Sequence, residues 1–310
     1  MSRKAFFQGQ IVPMDEAKIS ISTHGFLYGT ACFEGIRGYW SEEDQDILIF
    51  RLKEHYQRLL DSCKILRIKS AWSVDELCRI TADVVAGNGD RGDVYIRPVF
   101  YKATESIGVT LLGLKDEFTV FSVPFGEYLD LSRGLRACVS SWQHNSDNNI
   151  PPRAKLNGAY INAALAKSEA IENGYDEAIF LAQDGHVAEG SAENIFLVKN
   201  GKLVTPIPSG DILEGITRAT IIELARELGI EVVERVVDRT ELYLADELFF
   251  TGTGAQITPA VEVDHRAVGD GQIGPISKRL QQLYFDVVKG RAPKYRHWCT
   301  PAAALAQQPR

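Results

Sequence analysis

An α+β protein of about two domains is what this 310-residue sequence predicts, at roughly 150 residues per domain. Segments with strand-like alternation are interleaved with segments of helical period, yet no βαβ unit repeats along the chain. One stretch near the middle, holding Pro124, Gly126 and Gly134, interrupts every periodicity and reads as a linker. Hydrophobic residues at 45% and charged residues at 24% suit two ordinary cores that need no metal or disulfide staple.

Taken in order, Ile47-Leu48-Ile49-Phe50 is a short apolar, β-branched run, a strand. Leu52, Tyr56, Leu59, Leu60, Cys63 and Leu66 then recur at helical spacing. Ser73-Val74-Asp75-Glu76 is a capping box that opens a second helix, stopped at Gly87-Asn88-Gly89. Residues 94–100 and 118–123 alternate as strands. After the linker, a strand over 135–141 leads through an Asn- and Pro-rich loop to a helix from about Asn157 to Glu172. Strands follow at 177–182, 194–199 and 202–205, then a helix from Thr217 to Leu228 closed by Gly229. Strands at 231–237 and 247–251 and a helix over 276–288 complete the body. The division expected is a small N-terminal α/β domain (1–123), a linker (124–134) and a large C-terminal domain (135–310), with a loose tail from about 300.

Net charge and cysteine usage exclude several classes. Lys and Arg number 34 against 41 Asp and Glu, a balance of −7 with no basic block, so neither nucleic acid nor an anionic membrane is an expected partner. No apolar run reaches the roughly 20 residues of a membrane span, and the N-terminus carries no secretory h-region. The five cysteines are scattered without a CxxC pair and the six histidines without metal-ligand spacing. A reduced, cytoplasmic setting and no metal are expected.

Four features bear on chemistry. Lys155 follows a Pro-rich loop and precedes an apolar helix, whose positive end would disfavour its charged form; a neutral amine is what Schiff-base chemistry requires. Taken alone, a loop lysine is ordinarily just a solvated charge. Glu189-Gly190-Ser191-Ala192-Glu193 offers two carboxylates four apart, either an acid/base pair or solvated turn residues. Gly215-Ile216-Thr217-Arg218 opens a helix with free N–H groups, an anion site or a simple threonine cap. Thr251-Gly252-Thr253-Gly254 follows a strand but fails the dinucleotide-loop pattern, since Ile257 stands at the third glycine and Pro259 where the helix should run. An amine, a carboxylate and two phosphate-cradling turns together are the parts of a pyridoxal 5′-phosphate site.

Seven motifs extend this. They are Tyr28-Gly29-Thr30-Ala31-Cys32-Phe33-Glu34-Gly35-Ile36-Arg37, Glu54-His55-Tyr56-Gln57-Arg58-Leu59, Tyr95-Ile96-Arg97-Pro98, Ala154-Lys155, Glu189-Gly190-Ser191, Gly215-Ile216-Thr217-Arg218, and Tyr243-Leu244-Ala245-Asp246-Glu247 through Thr251-Gly252-Thr253. In this order the chain, from about residue 6 to 298, resembles the class IV (fold type IV) aminotransferases, and within them the branched-chain amino acid enzymes. The resemblance implies two α/β domains with the cofactor in the cleft between them, and a homodimer, with assembly into a trimer of dimers left open. It gives Lys155 the covalent cofactor bond and the proton shuttle, Glu189 the pyridine nitrogen, and Tyr160 the ring 3-oxygen. Arg58 would clamp the phosphate bidentately, helped by Ile216, Thr217 and Thr253.

The same resemblance implies a site for an aliphatic side chain and, in the second half-reaction, for one ending in carboxylate. Arg97, with Tyr28 and Tyr128, would meet the distal carboxylate of glutamate; Tyr95 and the amides of Thr253 and Gly254 would hold the α-carboxylate. Phe33, Phe125, Tyr28 and Tyr128 would wall the apolar pocket, and Tyr28 and the loop at Ile107-Gly108-Val109 would come from a neighbouring subunit. The expected reaction passes the amino group of L-leucine, L-isoleucine or L-valine to 2-oxoglutarate. Departures from the pattern are Ala192 for a common Gly, Ala159 for a usual Asn, and residues 101–106. The alternatives are sister activities, D-amino acid or (R)-amine transamination or aminodeoxychorismate lysis. Against the first, Arg97-Pro98-Val99 lacks the Arg-x-His of the D-amino acid enzymes. A non-catalytic dinucleotide binder using the Gly252–Gly254 turn is the rival from another class.

Overall fold

The computed structural model describes residues 2–126 and 133–307. The chain forms two compact units: Met1–Gly126 with Ala154–Gly158 and Asp286–Arg310, and Glu127–Arg153 with Ala159–Phe285. The first contains β1 (Lys4–Phe7), β2 (Gln10–Pro13), α1 (His24–Tyr28), β3 (Ala31–Phe33), β4 (Ile36–Ser41), β5 (Asp46–Phe50), α2 (Leu52–Ile65), α3 (Val74–Asn88), β6 (Val94–Lys102) and β7 (Asp116–Pro124). The second contains β8 (Leu135–Gln143), α4 (Tyr160–Glu172), β9 (Glu177–Leu181), β10 (Val187–Gly190), β11 (Asn194–Lys199), β12 (Lys202–Thr205), α5 (Ile216–Glu227), β13 (Val232–Glu234), β14 (Glu247–Gly252), β15 (Gln256–Val263) and β16 (Arg266–Ala267). Helix α6 (Pro275–Val288) follows, and β17 (Cys299–Pro301) and α7 (Ala302–Ala306) close the chain.

In the first unit the sheet runs β17-β5-β4-β6-β7-β1-β2, with β3 also on β6, and every pairing is antiparallel. Its capping box forms as the sequence predicts: Glu76 N–H donates to Ser73 Oγ, and Ser73 N–H to the Glu76 carboxylate. Aromatic rings fill the core, with Phe100 and Phe118 centroids 4.6 Å apart and Trp72 5.6 Å from Phe118.

The tail expected to be loose is structured as far as residue 307. Cys299 pairs with Phe50 across β17 and β5, and the Asp46 carboxylate accepts from the N–H of Ala303 and Ala304. The Ala/Pro composition hid this, because the order comes from a β5 edge more than 240 residues away in sequence. Residues 154–158 likewise group with the first unit, which a contiguous division at 124–134 does not anticipate.

The second unit is a mixed sheet, β10-β9-β8-β15-β14-β11-β12-β13, with β16 on β15. Val187 N–H donates to the Val237 carbonyl at 2.9 Å and His186 bridges to Asp238, so the β10 edge meets the segment that follows β13. The sheet thereby curls around one core of Ile179, Ile195, Leu197, Val204, Leu248, Phe250 and Val263. Along β9 the alternation is plain: Ile179 points into that core, Ala178 and Phe180 into a second one under α4. Pairs β8–β9 and β12–β13 are parallel, as chains returning through α4 and α5 must be. Strand β15 escaped the sequence reading because Pro259 sits in its middle, where a proline argues against a strand.

Two helix starts differ from expectation. Helix α4 begins at Tyr160, not near Asn157, because Asn157 and Gly158 donate to Ala31 and Gly29 instead. Lys155 is therefore five residues upstream of the helix, beyond the reach of its dipole. Helix α5 is capped by Gly215 with no side-chain cap, so Thr217 lies inside its first turn. Gly229, at φ +72°, ends it as predicted.

Candidate active site

The first unit gathers one group of predicted residues. Segment 154–158 docks on β3: Phe33 N–H donates to the Lys155 carbonyl (3.1 Å), Asn157 N–H to Ala31 (2.9 Å) and Gly158 N–H to Gly29 (3.2 Å). Gly29 makes the approach possible. Its φ is +65°, and a Cβ there would lie 2.7 Å from Gly158 Cα. From α2, Ser62 Oγ accepts the Lys155 N–H at 3.1 Å. Held by its backbone, Lys155 places Nζ 5.2 Å from the centroid of the Phe33 ring.

The Arg97 guanidinium lies over the same ring, at 4.3 Å, and donates through Nη2 to the Tyr95 hydroxyl at 2.7 Å. Tyr95 in turn packs on Phe125, centroids 5.2 Å apart. A Cβ on Gly35 would collide with the Tyr95 hydroxyl, which is why the Glu-Gly turn carries glycine. Phe33, Tyr95, Arg97, Phe125 and Lys155 thus form one cluster. Tyr28 does not join it through its hydroxyl, which accepts from Gly108 N–H beside the exposed Val109. Tyr128 lies outside the described residues.

Arg58 is anchored within the first unit. Its Nε and Nη2 donate to the two oxygens of the fully buried Glu34, at 2.7 and 2.8 Å, and His55 Nδ1 adds a third contact at 2.8 Å. Arg58 thus makes a bidentate pair with Glu34, which fixes the direction of its guanidinium. Burial would raise the Glu34 carboxyl, but the Arg58 charge and the His55 hydrogen bond outweigh it and hold the group far below the usual carboxylate range. His55, buried beside that already balanced charge, is pushed below the ordinary histidine value and stays neutral. Sequence reasoning gave Glu34 and His55 no role. The signal was available, since His55 and Arg58 are three apart on one helix face.

In the second unit, Glu189 at the end of β10 is held on both oxygens. Oε2 accepts from Asn194 Nδ2 (2.7 Å) and Leu213 N–H (3.2 Å), and Oε1 lies 3.2 Å from His144 Nε2. Asn194 also donates to the Leu213 carbonyl at 2.8 Å, just before the start of α5. A Cβ on Gly215 would collide with Asn194 Oδ1, so this glycine lets one asparagine join the carboxylate to the helix N-terminus. There the first-turn donors have no side-chain cap and Thr217 is buried. Thr253 and Gly254 form the turn between β14 and β15, an antiparallel hairpin with Gly252 opposite Gln256. A hairpin is not the strand-to-helix loop of a dinucleotide site. Glu193 Oε2 accepts the Ala192 N–H. Tyr160 opens α4.

Two α+β units carrying a docked lysine, a fixed carboxylate and an uncapped helix start define a class of protein. The chain matches the family model described as Amino-transferase class IV over residues 31–263, and it belongs to that family. The probable branched-chain-amino-acid aminotransferase of Aquifex aeolicus (strain VF5) is 52% identical over 298 residues, 96% of either chain. Among solved structures, the branched-chain aminotransferase of Thermoproteus uzoniensis with norvaline superposes with a TM-score of 0.94 at 42% identity, covering 97% of this chain and 100% of that one. The enzyme from Thermobaculum terrenum in its PLP form gives 0.93 at 43%, covering 97% and 98%.

Pyridoxal 5′-phosphate is the cofactor of this family, and the residues present fit it. An uncapped helix start suits a phosphate. The Glu189 carboxylate, held by outside donors, suits a ring cation. Thr251 Oγ1, buried beside the hairpin turn, has no hydrogen-bond partner among the described residues.

Proposed function

We propose that the chain passes the amino group of L-leucine, L-isoleucine or L-valine to 2-oxoglutarate in two half-reactions, as a cytoplasmic homodimer. Transamination of branched-chain amino acids with pyridoxal phosphate is its activity. The observation that carries the finer reading is the Phe33–Arg97–Tyr95 cluster beside Lys155: an aromatic ring and a guanidinium in contact, one for an aliphatic side chain and one for a distal carboxylate.

Pyridoxal phosphate supplies an electron sink for the charge left on the substrate α-carbon when its proton departs. Lys155 would hold the cofactor covalently and move that proton. Glu189 would keep a proton on the ring nitrogen, and Tyr160 would bond the ring 3-oxygen. Arg58, Ile216, Thr217 and Thr253 would hold the phosphate, with Arg58 fixed in place by Glu34. Tyr95 and the amides of Thr253 and Gly254 would take the α-carboxylate. Phe33, Phe125, Tyr28, Tyr128 and Val109 would wall the side-chain pocket, Tyr28 and Val109 reaching it from the second copy of a homodimer. For the setting, all five cysteines are buried thiols, and no helix among the described residues is long and apolar enough to cross a membrane.

The test follows each half-reaction in the visible spectrum of the holoenzyme. L-leucine bleaches the yellow band, whereas D-alanine and (R)-1-phenylethylamine leave it; Lys155→Ala abolishes turnover. Arg97→Leu slows the glutamate half-reaction about tenfold to a hundredfold, as loss of a charge-assisted bond implies, and the leucine half-reaction far less. Bleaching mainly by D-alanine or the (R)-amine would move the function to a sister activity. Equal losses in both half-reactions would remove Arg97 from the distal carboxylate.

A further inference from the structure

His144 was one of six dispersed histidines in the sequence, with nothing to mark it. It stands just past β8, and both of its ring nitrogens face acceptors. Nδ1 lies 3.1 Å from the Asn145 carbonyl, and Nε2 lies 3.2 Å from Glu189 Oε1. A neutral imidazole has one N–H and one lone pair, so it would aim a lone pair at one of these oxygens. The imidazolium satisfies both.

The surroundings agree. The side chains of His144 and Glu189 are each 11% exposed, and the Phe180 ring from β9 meets the imidazole edge-on, centroids 5.1 Å apart. Burial opposes the charged form, but the Glu189 hydrogen bond and charge, with the Asn145 and Asp211 backbone contacts, outweigh it and hold His144 above the ordinary histidine value. The other charged groups of this loop, Asp147 and Arg153, are half exposed and paired with each other, and Arg153 also with Glu214.

We propose that His144 is a positioning residue for the transamination: as an imidazolium bonded to Glu189 Oε1, it orients the carboxylate that faces the cofactor ring nitrogen and sets how firmly that nitrogen keeps its proton. The inference rests on the role given to Glu189 under the proposed function. When His144 loses its proton, Oε1 loses its charged partner while Asn194 and Leu213 still hold Oε2. The carboxylate stays in place, but its local charge balance changes.

The experiment uses the holoenzyme of wild type, His144→Gln and His144→Phe. Gln keeps a neutral donor toward Oε1, and Phe keeps only the contact with Phe180. Imidazole NMR with 15N-labelled histidine should place the wild-type His144 midpoint above 6.5, and Glu189→Gln should lower it. The visible band of the bound cofactor should titrate with that same midpoint in wild type and lose the transition in both variants. The cofactor dissociation constant should rise about tenfold in His144→Phe and less in His144→Gln. A His144 midpoint at or below 6.5 overturns the inference. So does a spectral pH profile unchanged in both variants while the wild type is yellow and active. A wild type with no visible band overturns this inference and the proposed function together.

Discussion

The two units each bury a histidine against a glutamate, and the two pairs behave oppositely. In the first unit, Glu34 already has both oxygens on Arg58, so His55 is a third partner to a balanced charge, fully buried, and is held neutral. In the second, Glu189 is met by an asparagine, a backbone N–H and His144, with no guanidinium among these contacts, and His144 is held toward its charged form. The contact distances, 2.8 and 3.2 Å, would suggest the reverse order of charge. Burial comes first: His55 is fully buried and the Arg58 charge beside it adds to that, whereas the Glu189 contacts outweigh the lesser burial of His144.

The comparison breaks most visibly at Glu34. Glu34→Gln removes the buried carboxylate that Arg58 and His55 both meet and should cost about 3–5 kcal/mol of stability, read by chemical denaturation. A loss under 1 kcal/mol would mean that Arg58 reorients to water. Arg58→Leu sharpens the contrast. With the guanidinium gone, His55 is the cation left for Glu34 among the described residues, and its NMR midpoint should climb from below 6.5. The cofactor should be held about tenfold or more weakly in the same variant. An unmoved His55 midpoint would assign its neutrality to burial alone.

The smallest effect is in the pH dependence of stability. The carboxyl of Glu34 is depressed in the folded state, so its contribution is present above its ordinary 4.5 and is lost as pH falls through the folded value. His55 is also depressed, so below its ordinary 6.5 the unfolded chain binds a proton that the folded chain refuses, and acid destabilises. For His144, raised in the folded state, the stabilisation is complete below 6.5 and disappears as pH rises through the folded value. Unfolding followed from pH 5 to 9 should show the His144 contribution falling on the alkaline side, absent in His144→Phe. An identical alkaline slope in that variant would count against a charged His144.

Much of this was legible in the residue order. The capping box at Ser73, the period of α2 and the Gly229 stop are local signals, set by neighbours within four residues, and each element appears where they place it. The hydroxyl-rich turn after β14 was read as something other than a dinucleotide loop because Pro259 forbids a helix there, and it is a hairpin. The start of α4 was misplaced by three residues because Asn157 and Gly158 find carbonyl partners on distant backbone, which no local propensity reports. The tail was misjudged for the same reason, its order coming from β5 and Asp46.

By itself, then, the sequence determined the class of fold through composition and period, and the family and its cofactor through the resemblance that its ordered motifs carry. Only the tertiary structure decided that Arg58 is bound to Glu34 and that His144 faces Glu189 across 45 positions of sequence. Charge states inside a protein depend on every group within a few ångströms, and sequence spacing does not report which groups those are.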